Sequence, residues 1–326
     1  MTLLRADGCV ALAASRRAHA RDIQLDVEDR ASIRAALRPG DVVVDATAPF
    51  HLRTTTLIVE AIATGFDVVD LCDNLSYARR VAALEHQARA RGIRVVCCCS
   101  SVSILSALAL GESRIRDATA IHGFLAPAMR HSGNRGAAES FLSSVGTAIE
   151  VWRGGTWQRT RGWSESRAFP ALARIGRLIE TADSFSLPRA FPSLRDVDFW
   201  VDPNTRGAAP LLALGSRIHA VLPVLSMFMR YGRPFVKLLG SDTGILAYEI
   251  EGANRDCVTV IFKGRDAFIM AAIPAALAAH RLAAGLIEAD GLIAPGTLTA
   301  GRALLDALAR HGISVETVPE SGVRRS

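Results

Sequence analysis

Apolar positions in the first third of the chain fall into short continuous runs separated by stretches of helical period. Val42, Val43 and Val44 form a β-branched run, the pattern of a parallel strand buried on both faces. Ala46, Thr47, Ala48 and Pro49 end that run in small residues, and Pro49 suits a first helical turn. Leu57, Ile58, Ala61 and Ile62 recur at helical spacing, and Gly65 is the predicted stop. Val68 and Val69 begin the next buried strand, which ends in Asp70 and Asp73. Together these residues predict one βαβ unit with a right-handed crossover. Ligands of open α/β sheets sit beyond the carboxyl ends of the strands, which singles out residues 46–50 and 70–74.

The same alternation extends on both sides. Residues 9–14 read as a short buried strand, 23–27 as a second and 28–37 as a short helix. Residues 75–91 read as an amphipathic helix, 93–99 as a strand carrying Cys97, Cys98 and Cys99 on alternating faces, and 100–110 as a helix. This order predicts a Rossmann-like, doubly wound parallel sheet.

Beyond residue 116 the pattern changes. It predicts a strand at 118–125, a helix at 137–145, a hairpin at 147–153 and 156–161, and an irregular loop over 164–195. A strand at 197–201, a long apolar helix or helix pair at 208–231, a second hairpin at 245–251 and 257–263, and helices at 268–284 and 299–311 follow. The domain reading is therefore 1–116, a dinucleotide-binding domain, and 117–319, an α+β domain with a mainly antiparallel sheet for substrate and dimerisation. The closing helices 268–311 are candidates to pack back on the first domain, and 320–326 reads as a disordered tail.

Composition narrows the function classes. The chain is 50% hydrophobic and 21% charged, which is ordinary for a globular protein, and its formal net charge is only +6. No Lys/Arg block with interleaved aromatics occurs, which argues against nucleic acid as a partner. The run at 9–14 is too short for a secretory signal. The apolar stretch 218–229, broken by His219 and Pro223, is too short to span a bilayer; it reads as a core or interface helix, with membrane-surface contact the minor alternative. The six cysteines form no C-x-x-C pair and read as buried free thiols in a reducing cytoplasm. The eight histidines lack ligand spacing, so no metal site is expected.

An open parallel sheet with small-residue turns suggests a nucleotide, yet the chain has no G-x-G-x-x-G; Gly8 and Gly40 are the only early glycines and neither fits. What remains is a combination of segments: VALAASRR, the strand at 41–46 leading into ATAPF, DVVDLCDN, and RVVCCCSS. Together they resemble the saccharopine dehydrogenase-like oxidoreductases in their NADP-binding-domain form. A weaker likeness runs through AAHRLAAGLIEADGLIAPGTLTAGRALLDALARHGISVE. The resemblance covers most of 9–110 and the closing region, while the middle matches in outline only.

The resemblance implies NADP-dependent hydride transfer on a small polar or imine-type molecule. The cofactor would carry that chemistry without a protein nucleophile. Ser15 and Arg16 would follow the second strand of the family's sheet, where an arginine accommodates the phosphate of NADP in preference to NAD; the alternative is a surface arginine. Asp26 and Val27 would sit beside the adenine, or Asp26 would cap the following helix. Ala46, Thr47 and Ala48 would lie under the cofactor. Asp70 and Asp73, paired acids at a strand end, would bind a substrate amine or orient a water, with helix capping the alternative for Asp73. Of the two, Asp70 is expected to matter more. Ser100 would contact nicotinamide or substrate, or cap its helix.

The family's first strand and glycine-rich turn have no counterpart in the chain. Either the reading frame starts upstream of Met1 or this is a degraded relative, and cofactor binding by the chain is expected to be impaired. The competing function is a non-catalytic scaffold acting through self-association or partner binding. In both readings a homodimer through the second domain is expected.

Overall fold

The structure, a computed structural model, describes residues 2–6, 8–17, 22–128, 144–204 and 241–319. The sequence-predicted helix 208–231 and the tail 320–326 lie outside these residues, as does nearly all of the predicted helix 137–145. The chain divides into two compact units: Met1–Leu105 with Ala271–Leu304, and Ser106–Met270 with Leu305–Ser326.

The first unit opens with α1 (Thr2–Ala6), β1 (Ala14–Ser15), β2 (Ile23–Gln24) and α2 (Arg30–Ala36). Next come β3 (Val42–Asp45), a 3-10 turn (Phe50–Leu52), α3 (Thr56–Thr64) and β4 (Asp67–Asp70). Then α4 (Leu75–Ala82), α5 (Glu85–Arg91) and β5 (Arg94–Val96) complete its amino-terminal part. Helix α3 begins later than Pro49 suggested, because the 3-10 turn intervenes. It ends at Gly65, whose φ of 96° is the left-handed cap that glycine takes without strain. The single helix expected over 75–91 is broken at Ala83–Leu84 into α4 and α5.

After α6 (Ile104–Ser113), β6 (Ala118–Ala126), β7 (Ala148–Arg153), β8 (Thr156–Arg161), β9 (Ser166–Phe169) and β10 (Arg174–Ile179) follow, with α7 (Asp183–Ala190) and β11 (Asp196–Val201). The stretch 164–195, expected to be irregular, therefore holds two strands and a helix. Pairing of β10 with β9 and β11 organises it, and local propensity carries no trace of that pairing. The hairpin β12 (Gly244–Gly252) and β13 (Cys257–Gly264) forms as predicted. The chain closes with α8 (Ala267–Ala283), β14 (Gly291–Leu292), α9 (Pro295–Thr299), α10 (Ala303–Arg310) and β15 (Ser314–Pro319). The helix predicted over 299–311 is shortened to α10, with α9 ending at Thr299 before it.

In the first unit the parallel strands run β14-β5-β4-β3, and β1 pairs β2 in a separate two-stranded sheet. β4 is the central strand, buried throughout, and each fully buried valine in it contributes about 1.5–3 kcal/mol. β3 lies at the edge, so Val42, Val43 and Val44 are only partly buried, against the expectation of a strand covered on both faces. The predicted strand at 9–14 shrinks to its last residue; Val10 is 96% exposed and Leu12 63%. The second unit holds a mixed sheet in the order β15-β13-β12-β6-β11-β10-β9, with β7 joining β11 to β8 and only β6 and β11 parallel among neighbours. Phe124, Phe169, Leu178, Trp200 and Ile261 anchor the core on one of its faces. The hairpin of β12 and β13 lies inside this sheet, between β6 and β15. No described helix is long and apolar enough to cross a membrane.

Candidate functional site

The parallel register pairs Asp45 at the end of β3 with Asp70 at the end of β4. Two buried carboxylates thus stand side by side, and each meets a different environment. Asp45 faces the guanidinium of Arg53, with Nη2 3.0 Å from Oδ2. Its Oδ1 accepts from the Thr47 backbone N–H at 2.9 Å and from the Thr47 hydroxyl at 2.5 Å. Arg53 is itself buried and reaches further, donating to the Thr47 carbonyl at 3.0 Å, to the Thr47 hydroxyl, and to Glu28 at 2.5 Å. Burial would raise the Glu28 carboxyl, but hydrogen bonds from Thr54 and Arg53 hold it below its ordinary value. Arg53 therefore ties the loop before α2 to the turn after β3, and fixes the backbone of residues 45–47 from beneath.

Among the described residues, the groups that act most on Asp70 include no cation. Its Oδ1 accepts from the backbone N–H of Cys98 at 2.8 Å and of Cys72 at 3.1 Å. Desolvation pushes its pKa up to about 6; those two N–H groups oppose the shift, and the charge of Asp45 adds to it. Around it gather the thiols of Cys72, Cys97 and Cys98. Ligand atoms of Asp70, Cys72 and Cys98 all lie within 4.8 Å of one another. Cys97 Sγ is 3.5 Å from Cys98 Sγ. The cysteine triplet does not continue the strand as expected: β5 stops at Val96, and Cys98 adopts a left-handed φ of 60°. That turn folds its thiol back toward β4.

The remaining sequence-predicted residues are placed as follows. Ser15 ends β1, and its hydroxyl donates to the Arg17 carbonyl at 2.8 Å, while Arg16 is exposed. Asp26 and Val27 are half-buried beyond β2. Asp26 closes a turn onto the Glu28 N–H, and the cap of α2 is Asp29, so Asp26 does not cap that helix. Ala46, Thr47 and Ala48 are exposed beyond β3. Asp73 is exposed too, and Asn74, not Asp73, caps α4 by accepting from Tyr77. Asp70 is fully enclosed, so of the two acids it is Asp73 that a ligand can reach. Ser100 is buried, and its hydroxyl accepts from Val102 at 3.3 Å in the turn before α6.

Two features escaped sequence reasoning. Arg53 reads as one surface arginine among many, and only the convergence of three loops reveals its position. The thiol cluster unites Cys72 with Cys98 because β4 and β5 are parallel neighbours. A cysteine just past the end of each of two adjacent parallel strands was the available signal.

The second unit has its own polar cluster. His122 Nδ1 lies 2.7 Å from Asp198 Oδ1, which also accepts from Trp200 Nε1 at 2.6 Å. Arg153 stands 3.3 Å from the other oxygen. Burial would raise Asp198, but the charge and hydrogen bond of His122, with Trp200 and Arg153, hold it below its ordinary value.

The residues fit one side of a dinucleotide site. Exposed Arg16 follows β1, and small exposed residues follow β3. No glycine-rich loop is present between residues 9 and 40 for the pyrophosphate.

Comparison with known proteins bears on the fold and on the first part of the chain. Residues 5–96 match the family described as saccharopine dehydrogenase NADP binding domain. Among solved structures, apo histidine-tagged saccharopine dehydrogenase (L-Glu forming) from Saccharomyces cerevisiae superposes with a TM-score of 0.59 at 16% identity, over 92% of this chain and 89% of that one. No curated protein matches the chain. Residues 5–96 thus match an NADP-binding domain of the saccharopine dehydrogenase family, and the chain, with a parallel sheet in one unit and a mixed sheet in the other, shares the fold of saccharopine dehydrogenase.

Proposed function

We propose that the chain is an NADP-dependent oxidoreductase acting on a small polar or imine-type molecule. The match of residues 5–96 to an NADP-binding domain carries this reading. Bound NADP would supply or accept the hydride. Arg16 would receive the 2′-phosphate, and Ser15 with Asp26 and Val27 would line the adenosine side. Ala46, Thr47 and Ala48 allow close backbone approach, and Arg53 keeps that turn in one conformation by holding Asp45 and the Thr47 carbonyl. Asp73, exposed at the end of the β4 loop, is the acid available to a substrate amine or a water.

Binding by this chain is weak in our reading. A glycine-rich loop supplies charge-assisted hydrogen bonds of about 1.5–3 kcal/mol each to the pyrophosphate. Without two or three of them, affinity falls on the order of a thousandfold. Free thiols at all six cysteines fit a reducing cytoplasm. A homodimer is part of the proposal and rests on the apolar sequence 208–229; a monomer mass by light scattering would remove it.

Calorimetry with NADPH and NADH tests the cofactor reading. The expected result is weak binding that favours NADPH, with the preference abolished in Arg16→Ala. Tight NADPH binding would show that the phosphate site lies elsewhere. Equal affinity for both would leave Arg16 a surface residue, and no binding of either would favour the scaffold reading.

A further inference from the structure

We propose that Asp70, Cys72 and Cys98 form a site for a thiophilic divalent cation of the zinc class. Four observations converge on it. The three ligand atoms already lie within 4.8 Å of one another, although their residues come from two different strand-end loops. Zinc takes thiolate at about 2.3 Å and carboxylate at about 2.0–2.2 Å, so a modest closure of side chains brings the cluster into a first coordination sphere. Cys72 and Cys98 each lie just past a strand, where side-chain rotation need not disturb a ladder.

The carboxylate is held as a metal-ligating carboxylate should be. The backbone N–H groups of Cys72 and Cys98, the two residues that bring the thiols, both grip Asp70 Oδ1. The other oxygen, Oδ2, is buried without a hydrogen bond, although the Cys97 thiol interacts with the same carboxylate. A fully enclosed carboxylate with one orphaned oxygen is expensive unless something binds it. On the sulfur side, the Asn74 N–H already donates to Cys72 Sγ at 3.1 Å, a bond that strengthens once the sulfur is a thiolate. Part-exposed Cys97, with its sulfur 3.5 Å from that of Cys98, is a further thiol beside the three ligands.

Binding is a proton-for-metal exchange. Two thiols lose their protons to solvent, two metal–sulfur bonds and one metal–oxygen bond form, and no oxidant or reductant is consumed. The bound unit carries one net negative charge, from one carboxylate and two thiolates against a doubly charged ion. The site is separate from the cofactor reading above, since Arg16 and Ala46–Ala48 take no part in it.

Cobalt titration of the reduced, chelator-stripped full-length chain tests the proposal. The expected result is one equivalent of Co²⁺ giving a thiolate-to-metal charge-transfer band with tetrahedral visible absorption, bleached when Zn²⁺ is added. Cys72→Ser and Cys98→Ser should each lose most of the band. Asp70→Asn should weaken binding by about tenfold or more. Cys257→Ser, in the other unit, should leave the band intact. Circular dichroism of each variant separates loss of the site from loss of the fold. Should the serine variants fail to fold, protection of two thiols from a chromogenic disulfide by Zn²⁺ in the wild type serves instead. A folded wild type without a charge-transfer band overturns the site, as does a band that survives in both folded serine variants or a wild type whose thiols Zn²⁺ leaves equally reactive.

Discussion

Asp70 in one unit and Asp198 in the other are both buried aspartates on parallel-paired strands, and their carboxyls shift in opposite directions. Burial pushes both upward. Asp198 is drawn back by a cluster that contains the Arg153 guanidinium at 3.3 Å and hydrogen bonds with His122 at 2.7 Å and Trp200 at 2.6 Å. Asp70 has only two backbone N–H groups and a ring of thiols, while the adjacent Asp45 keeps Arg53 for itself. The lesson is that the partner, not the depth, decides the charge state of a buried acid. A cluster that carries its own cations is a finished structural device, whereas one that lacks them is open to a cation from outside.

The comparison can be broken first at Asp198. Asp198→Ala takes the acceptor from His122 Nδ1 and Trp200 Nε1 and leaves Arg153 with Glu165, and removing one member of a buried charge cluster costs about 3–5 kcal/mol. A urea denaturation midpoint that moves by much less would show that solvent or Glu251 replaces the lost carboxylate. The pH profile gives the same information without cavity formation. A depressed folded-state value means that Asp198 stabilises the fold fully above its unfolded pKa, near 4, and that this contribution is lost as pH falls through the folded value. Wild type should therefore lose stability at acid pH more steeply than Asp198→Asn, and parallel curves would contradict the assignment.

At Asp70 the sign reverses. In metal-free protein at neutral pH the carboxylate is ionised at a cost, and an upward shift to about 6 corresponds to roughly 3 kcal/mol at most. Asp70→Asn keeps an acceptor for the two N–H groups and removes the charge. It should raise the melting temperature of the stripped protein, with a gain on the order of 1–2 kcal/mol after the loss of packing detail. A lower melting temperature would mean that a positive charge supports Asp70 in solution.

Arg53→Lys probes the clamp that leaves Asp70 without a cation. A lysine preserves charge but cannot serve Glu28, Asp45 and Thr47 together, so a loss of about 1–2 kcal/mol is expected, with weaker NADPH binding through a looser 45–48 turn. Unchanged stability in thermal melts would reduce Arg53 to a bystander. The smallest effect belongs to Asp73→Asn. Asp73 is exposed and Asn74 does the capping, so stability should move by less than about 0.5 kcal/mol. Any larger shift in the melt would show that Asp73 carries a structural bond.

Sequence alone determined the βαβ unit over 42–70, the glycine stop at Gly65, both hairpins and the likeness of residues 5–96 to an NADP-binding domain, because each is written in local signals. A β-branched run, a helical period and a left-handed cap need no distant partner to be read. Tertiary structure decided the rest. The strands within 164–195 exist because β11 offers an edge to β10, and β10 in turn to β9, across a helix that separates β10 from β11 in the chain. The predicted strand at 9–14 fails for the converse reason: among the described residues β1 pairs β2 alone, and Val10 and Leu12 are exposed. Asp45, Asp70 and Asp198 look alike as letters. Their charges are set by Arg53, by Cys72 and Cys98, and by His122, which parallel pairing brings from elsewhere in the chain. Local propensity reaches a few residues, whereas electrostatics and thiol chemistry depend on neighbours in space, and those neighbours are fixed only when the sheets assemble.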